Sequence, residues 1–129
     1  MVKKIDDIRI DHVGWRLWDA AAMWKEKFGA EMVAAGHDWY AEARSSVVPY
    51  VGLKGTRQAD IVARMGLSKQ AVQQLIVDLE QSGILRRDPD PNDGRGKIVL
   101  FTEKGMAAQR DSQEAKKKVE AEIRTMLGN

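Results

Sequence analysis

The sequence predicts a mainly α-helical α+β fold, and three observations carry that expectation. Apolar residues recur at helical spacing through the first third of the chain and again near its end. Two short stretches in the middle each begin on a capping residue and stop at a glycine. After Gly83 the period shortens to that of strands, with Pro, Asn, Asp and Gly gathered between two runs rich in Ile, Val, Leu and Phe.

The first helix is expected from Asp11 to Ala35. Val13, Leu17, Ala21, Trp24, Phe28 and Met32 fall on one face, with Asp11 as candidate N-cap and Gly36 as the stop. A second helix is expected from Asp38, with Trp39, Tyr40, Ala43 and Val47 inward, until Pro49 ends or kinks it. Gly52 to Gly55 reads as a turn. Thr56 then caps a short helix, Arg57–Met65, whose apolar side is Ile61, Val62 and Met65. Gly66 and Leu67 break it, and Ser68 caps the next helix, which runs to about Gln81 and closes at Gly83. Two short helices joined by a Gly-containing turn make a helix-turn-helix. Ile84–Arg87 and Lys97–Thr102 then form a β-hairpin with a long loop, and a last helix runs from Lys104, with Ala108, Ala115, Val119, Ile123 and Leu127 apolar.

Composition narrows the function. The 129 residues suffice for one domain with a core, and 43% hydrophobic with 31% charged residues describes a soluble globular chain. No apolar run approaches the ~18 residues of a membrane span, so no membrane partner is expected. MVKKIDDIRIDH lacks the apolar region of a secretory signal. A cytoplasmic location follows as the default. Absence of cysteine excludes disulfides and thiolate metal sites. Net charge is +2, which permits nucleic acid as a partner without arguing for it. Catalysis finds no motif: there is no Gly-x-Ser-x-Gly, no phosphate loop and no His-Glu-x-x-His. His12 and His37 are far apart in sequence and have no paired carboxylate motif. The expectation is no enzyme, no cofactor and no metal. Lys116-Lys117-Lys118 reads as a solvated helix face balanced by Glu114, Glu120 and Glu122.

The stretch RRDPDPNDGRGKIVLFTEKG, Arg86 to Gly105, places oxygen-bearing side chains at alternate positions and invites a calcium reading. The spacing defeats it. Counting from Asp88, the place of the loop glycine holds Asp93 and the place of the bidentate glutamate holds Val99. The better reading is a hairpin tip that projects Arg95. Pro89 and Pro91 stiffen it, Gly94 and Gly96 let the backbone turn, and Asp93 has the reach to orient Arg95 by a salt bridge. A guanidinium on a rigid tip suits a narrow minor groove. An ordinary surface hairpin with a solvated arginine is the competing reading.

The Ser68 helix tips the balance. Val72, Leu75, Ile76 and Leu79 form its core face, leaving Gln70, Gln73, Gln74 and Val77 on the opposite side. Glutamine can bind adenine bidentately, and an aliphatic group can meet a thymine methyl. Ser68 and Lys69 stand at the helix N-terminus, where amides, hydroxyl and ammonium can hold phosphate. Lys97 completes the candidate DNA-contact set. A merely solvated polar face is the alternative.

Residues from about Thr56 to Gly105 resemble the winged helix-turn-helix of the MarR family of bacterial transcriptional regulators. The segments TRQADIVARMGLS, KQAVQQLIVDLEQSGILRR and DPDPNDGRGKIVLFTEKG carry the resemblance. The last is the most specific. The family's wing has an Asp, one residue and an Arg, then a strand ending in Leu-Thr and a Gly. Here these are Asp93, Arg95 and LFTEKG, with Phe101 interposed before Thr102. The resemblance implies one MarR-like domain over 1–129, a winged lobe over 52–103, and dimerisation helices over 1–36 and 104–129. It implies a homodimeric regulator of double-stranded DNA, expected to repress, with Arg95 in the minor groove and the Ser68 helix in the major groove. Family members often carry a Thr-Arg type pair where Gln73-Gln74 stand. The region after Gly105 has room for one long helix, which shifts weight in the dimer interface to the first.

Seven of the aromatic residues (Trp15, Trp18, Trp24, Trp39, Phe28, Tyr40 and Tyr50) lie in the first half of the chain. One reading is core plus dimer interface. The other is an effector pocket lined by Trp15, Trp18, Trp39 and Tyr40, with His12 and His37 as polar contacts. The family's frequent release from DNA by small aromatic compounds raises that option. A peroxide-sensing role is excluded for want of a thiol. A winged helix used for protein docking without DNA remains the alternative function, favoured by the weak net charge and the uncharged glutamine face.

Overall fold

The computed structural model describes residues 12–41 and 43–128. Helix α1 spans Val13–Ala34. The imidazole of His12 caps it, Nδ1 accepting from the Trp15 backbone N–H at 3.3 Å. The expected cap, Asp11, lies outside the described residues. At the other end the His37 N–H reaches the Met32 carbonyl at 2.9 Å and the Gly36 N–H the Val33 carbonyl at 3.0 Å. This closure needs a left-handed residue, which Gly36 supplies at φ 98°.

The helix expected from Asp38 is instead two 3-10 segments, Asp38–Ala41 and Ala43–Tyr50. The stretch Ser45-Ser46-Val47-Val48-Pro49 is poor in helix formers, and Pro49 removes a donor from the last turn. Trp39, Val47 and Val48 are buried as their apolar character demands, while Ala43 is exposed rather than inward.

Thr56 does not cap a helix. Thr56–Arg57 forms a short strand, β1, paired antiparallel through Thr56 with Val99 and Arg57 with Ile98. The Thr56 hydroxyl closes the preceding turn by accepting from the Gly52 N–H at 2.8 Å. Helix α2 follows over Gln58–Met65 and stops at Gly66, which is left-handed at φ 68°. Helix α3, Lys69–Gln81, is capped by Ser68, whose hydroxyl accepts from the Ala71 N–H at 3.1 Å.

Strands β2, Leu85–Asp90, and β3, Asp93–Phe101, pair antiparallel, and the sheet order β1-β3-β2 puts β3 in the centre. The sheet thus has three strands where the sequence suggested two. The expected long loop is mostly strand, with only Pro91 and Asn92 between the two. Pro89 is tolerated because β2 is an edge, and the register shifts between Pro89 and Asp90. Gly94 and Gly96 are in β3 and outside the positive-φ set, so they do not make the turn.

Helix α4, Glu103–Met126, is capped by Thr102, whose hydroxyl accepts from the Gly105 N–H at 3.0 Å. Gly105 is required by proximity: a Cβ there would stand 2.2 Å from the Ile84 carbonyl oxygen.

Two cores result. In the winged lobe, Ile61, Val72, Ile76, Leu79, Ile84 and Val99 are fully buried. Burying each such side chain contributes roughly 1.5–3 kcal/mol. A smaller cluster of Phe28, Met32, Ala115 and Val119 joins α1 to α4, and Tyr40 packs against both clusters. Ion pairs Lys27–Glu122 at 3.1 Å and Lys118–Glu31 at 3.5 Å tie the same helices. These pairs run antiparallel, so the first turns of α1 extend past the end of α4.

Candidate nucleic-acid interface

The face of β3 that carries Val99 and Phe101 into the core continues, two residues at a time, as Lys97, Arg95 and Asp93. Beyond the edge of the core that face borders a groove of about 530 Å³. Its other wall is α2 and the start of α3. Lys69, Arg87, Arg95 and Lys97 line it, together with Gln58, Gln73 and Asp93. With Arg87 paired to Glu80, the cations Lys69, Arg95 and Lys97 still outnumber the one lining carboxylate, Asp93, and make an anion-attracting surface that the net charge of the chain does not reveal.

Arg95 belongs to β3, not to the tip of the hairpin. The expected Asp93–Arg95 side-chain ion pair is replaced by a backbone contact, the Arg95 N–H donating to Asp93 Oδ1 at 3.1 Å. So short a carboxylate two residues back reaches the amide, while the exposed Arg95 side chain lines the groove.

The wing is anchored by a pair the sequence reading missed. Asp90, with a side chain only 2% exposed, accepts from Arg57 Nε at 3.0 Å and from the Asn92 N–H at 2.9 Å. Asp88 pairs with Arg86. The carboxylates that suggested calcium thus each have a protein donor.

On α3, Ser68 uses its oxygen lone pair on the Ala71 N–H, which leaves its O–H to donate outward. Gln70 and Gln74 are exposed, and Gln73 and Val77 are half-buried. Gln74 donates through Nε2 to Asp78 Oδ1 at 2.8 Å. Gln73 is held more firmly. Its Oε1 accepts from Gln58 Nε2 at 2.7 Å and from Arg87 Nη1 at 2.9 Å. Arg87 is in turn held by Glu80 Oε1 at 2.8 Å. Nothing local in the sequence could show this network, since it joins α2, α3 and β2. Arg87 stands in β2 between the charged Arg86 and Asp88, so its own charge singles nothing out.

The four aromatic residues expected to line one effector pocket are divided. Trp39 is buried in the lobe core, 5.3 Å from the half-buried Tyr40 ring. Trp15 and Trp18 project from the first turns of α1, 38% and 70% exposed. His12 is spent on the helix cap. His37 faces Asp111 on α4 at 2.7 Å. No helix among the described residues is long and apolar enough to cross a membrane.

Residues 50–96 match the model of a family described as the MarR family. No curated protein matches the chain. Solved structures share the fold. A MarR-family transcriptional regulator from a Rhodococcus species is 22% identical with a TM-score of 0.66, over 95% of this chain and 83% of that one. Wild-type MarR from E. coli in its apo form is 16% identical with a TM-score of 0.66, over 91% of this chain and 86% of that one. CouR from Rhodococcus jostii, solved with p-coumaroyl-CoA bound, is 26% identical with a TM-score of 0.66, over 84% of this chain and 76% of that one.

Proposed function

We propose, from the match of residues 50–96 to the MarR-family model, that the chain is a non-enzymatic transcriptional regulator that binds double-stranded DNA as a homodimer, most simply as a repressor. The observation that carries this is the groove where Lys69, Arg87, Arg95 and Lys97 converge between α3 and β3. Phosphate contacts supply most of the affinity of such proteins. Helix α3 enters a major groove, with Ser68 and Lys69 on the backbone and Gln70, Gln73 and Gln74 toward the bases. Arg95 and Lys97 follow the adjacent minor groove. Val77, half-buried, keeps only a peripheral role.

Dimerisation is supported by apolar surface that one copy leaves uncovered. Val13, Leu17 and Trp18 are 72%, 64% and 70% exposed where α1 runs past α4, and Met126 and Leu127 are exposed at the end of α4. A second copy covers such a surface with aromatic and aliphatic contacts. A small aromatic effector belongs to the same reading. CouR was solved with p-coumaroyl-CoA, and here the buried Trp39 Nε1 lacks an acceptor among the described residues.

Fluorescence anisotropy tests the reading. Labelled DNA from upstream of the chain's own gene is titrated at several salt concentrations beside a scrambled duplex. Preference for the upstream duplex with a steep negative salt slope is expected. Equal or absent binding would leave a different operator, or a winged helix turned to protein docking.

A further inference from the structure

We propose that Arg87 is a positioning residue that turns Gln73 into a hydrogen-bond donor toward DNA and directs it to guanine or thymine rather than adenine. The inference rests on the DNA-binding reading above and deepens it.

Gln73 Oε1 has no accepting capacity left. An amide oxygen has two lone pairs. Those of Gln73 Oε1 are taken by Arg87 Nη1 at 2.9 Å and Gln58 Nε2 at 2.7 Å. The orientation of the amide is not ambiguous, because a guanidinium only donates and must face oxygen. The same logic fixes Gln58, whose own Oε1 lies 3.3 Å from Arg87 Nη1. Glu80 Oε1 holds the other end of the guanidinium at 2.8 Å, and the Arg87 side chain is 20% exposed. The arrangement is therefore built from three elements and braced before any DNA arrives.

What remains of Gln73 is Nε2, with two N–H groups and no partner among the described residues. Bidentate adenine recognition needs the amide oxygen to accept from N6 while the nitrogen donates to N7. Here the oxygen is committed, so adenine keeps one bond at most. Guanine presents two acceptors, O6 and N7, and thymine presents O4. A donor-only amide can make two bonds to guanine and one to thymine, whereas at adenine the N6 amino group beside N7 meets it with a second donor. The residue type alone suggested adenine; its neighbours reverse the preference.

The test uses the full chain and a duplex that it selects from a random pool. Every base pair of one half-site is replaced in turn, and affinities are measured for the wild type, Gln73→Ala, Arg87→Met and Gln58→Met, with folding checked by circular dichroism. Gln73→Ala locates the base pair by losing discrimination there. The wild type is expected to prefer guanine or thymine at that position by about tenfold. Arg87→Met and Gln58→Met free a lone pair on Oε1 and are expected to raise relative affinity for adenine several-fold there, and only there. Should Arg87→Met fail to fold, Gln58→Met decides, since it leaves the Arg87–Glu80 pair in place. A wild-type preference for adenine at that position would overturn the proposal. So would unchanged ratios in the folded variants, or a Gln73→Ala variant that keeps discrimination everywhere, with DNA reading itself intact. Failure to select any duplex would overturn the DNA-binding reading and the proposal with it.

Discussion

The carboxylate of Asp90, 2% exposed, is held 3.0 Å from the Arg57 Nε across the sheet that forms the wing. Arg57 ends β1 and Asp90 ends β2, so one pair links both edge strands across β3. The arginine is 54% exposed and keeps water on one side; the carboxylate does not. Loss of the two partners is therefore unequal. Arg57→Ala strands a buried charge and is expected to cost about 1–3 kcal/mol. Asp90→Ala removes the charge and leaves only the Asn92 N–H short of a partner, so it costs less. Denaturant unfolding of both variants checks the order, and the reverse order would show that the pair does not organise the wing.

Arg95→Ala is expected to weaken DNA binding strongly at ~150 mM salt and to reduce the salt slope by about one. Folding should be unaffected, since the side chain is exposed. An unchanged affinity would remove Arg95 from the interface.

Dimer strength should depend on the start of α1. Trp18→Arg puts a charge into the surface that a second copy would cover, and is expected to weaken self-association by about a hundredfold. Sedimentation equilibrium reads this directly. A wild-type chain that stays monomeric at high concentration would contradict the assignment of that surface.

Tyr40 sets a pH limit. Burial raises its phenol above the ordinary value of 10.0. The folded state thus holds the proton more tightly than the unfolded one. Its contribution to stability is complete below pH 10 and is lost as pH rises through the raised value. Tyr40→Phe should therefore lose less stability than the wild type as pH rises above 10. Parallel pH profiles would contradict the burial argument.

Much of the winged lobe was legible because its signals are local. Ser68 caps, Gly66 and Gly83 stop, and Val72, Ile76 and Leu79 keep helical spacing, and each of these holds in the structure. The misreadings share a cause. Thr56 looks like a cap, but its strand exists only through pairing with Val99, which is distant in sequence. Gly94 and Gly96 look like turn residues, yet Asp90 closes the turn through the Asn92 N–H, leaving the glycines in strand. The second helix failed where the backbone took the tighter 3-10 path around Pro49. At the site, Arg95, Lys97 and Lys69 were found by residue type, and the structure gathers them around one groove. Arg87 and Gln58 were not found, because their importance lies wholly in what the fold brings beside Gln73.

Selection from a random duplex pool by the wild-type chain is the decisive test of DNA reading. Enrichment of an inverted repeat whose half-sites lie one helical turn apart, ~34–36 Å, bound with a steep salt dependence, is the expected result. A pool that emerges unenriched after successive rounds would contradict it.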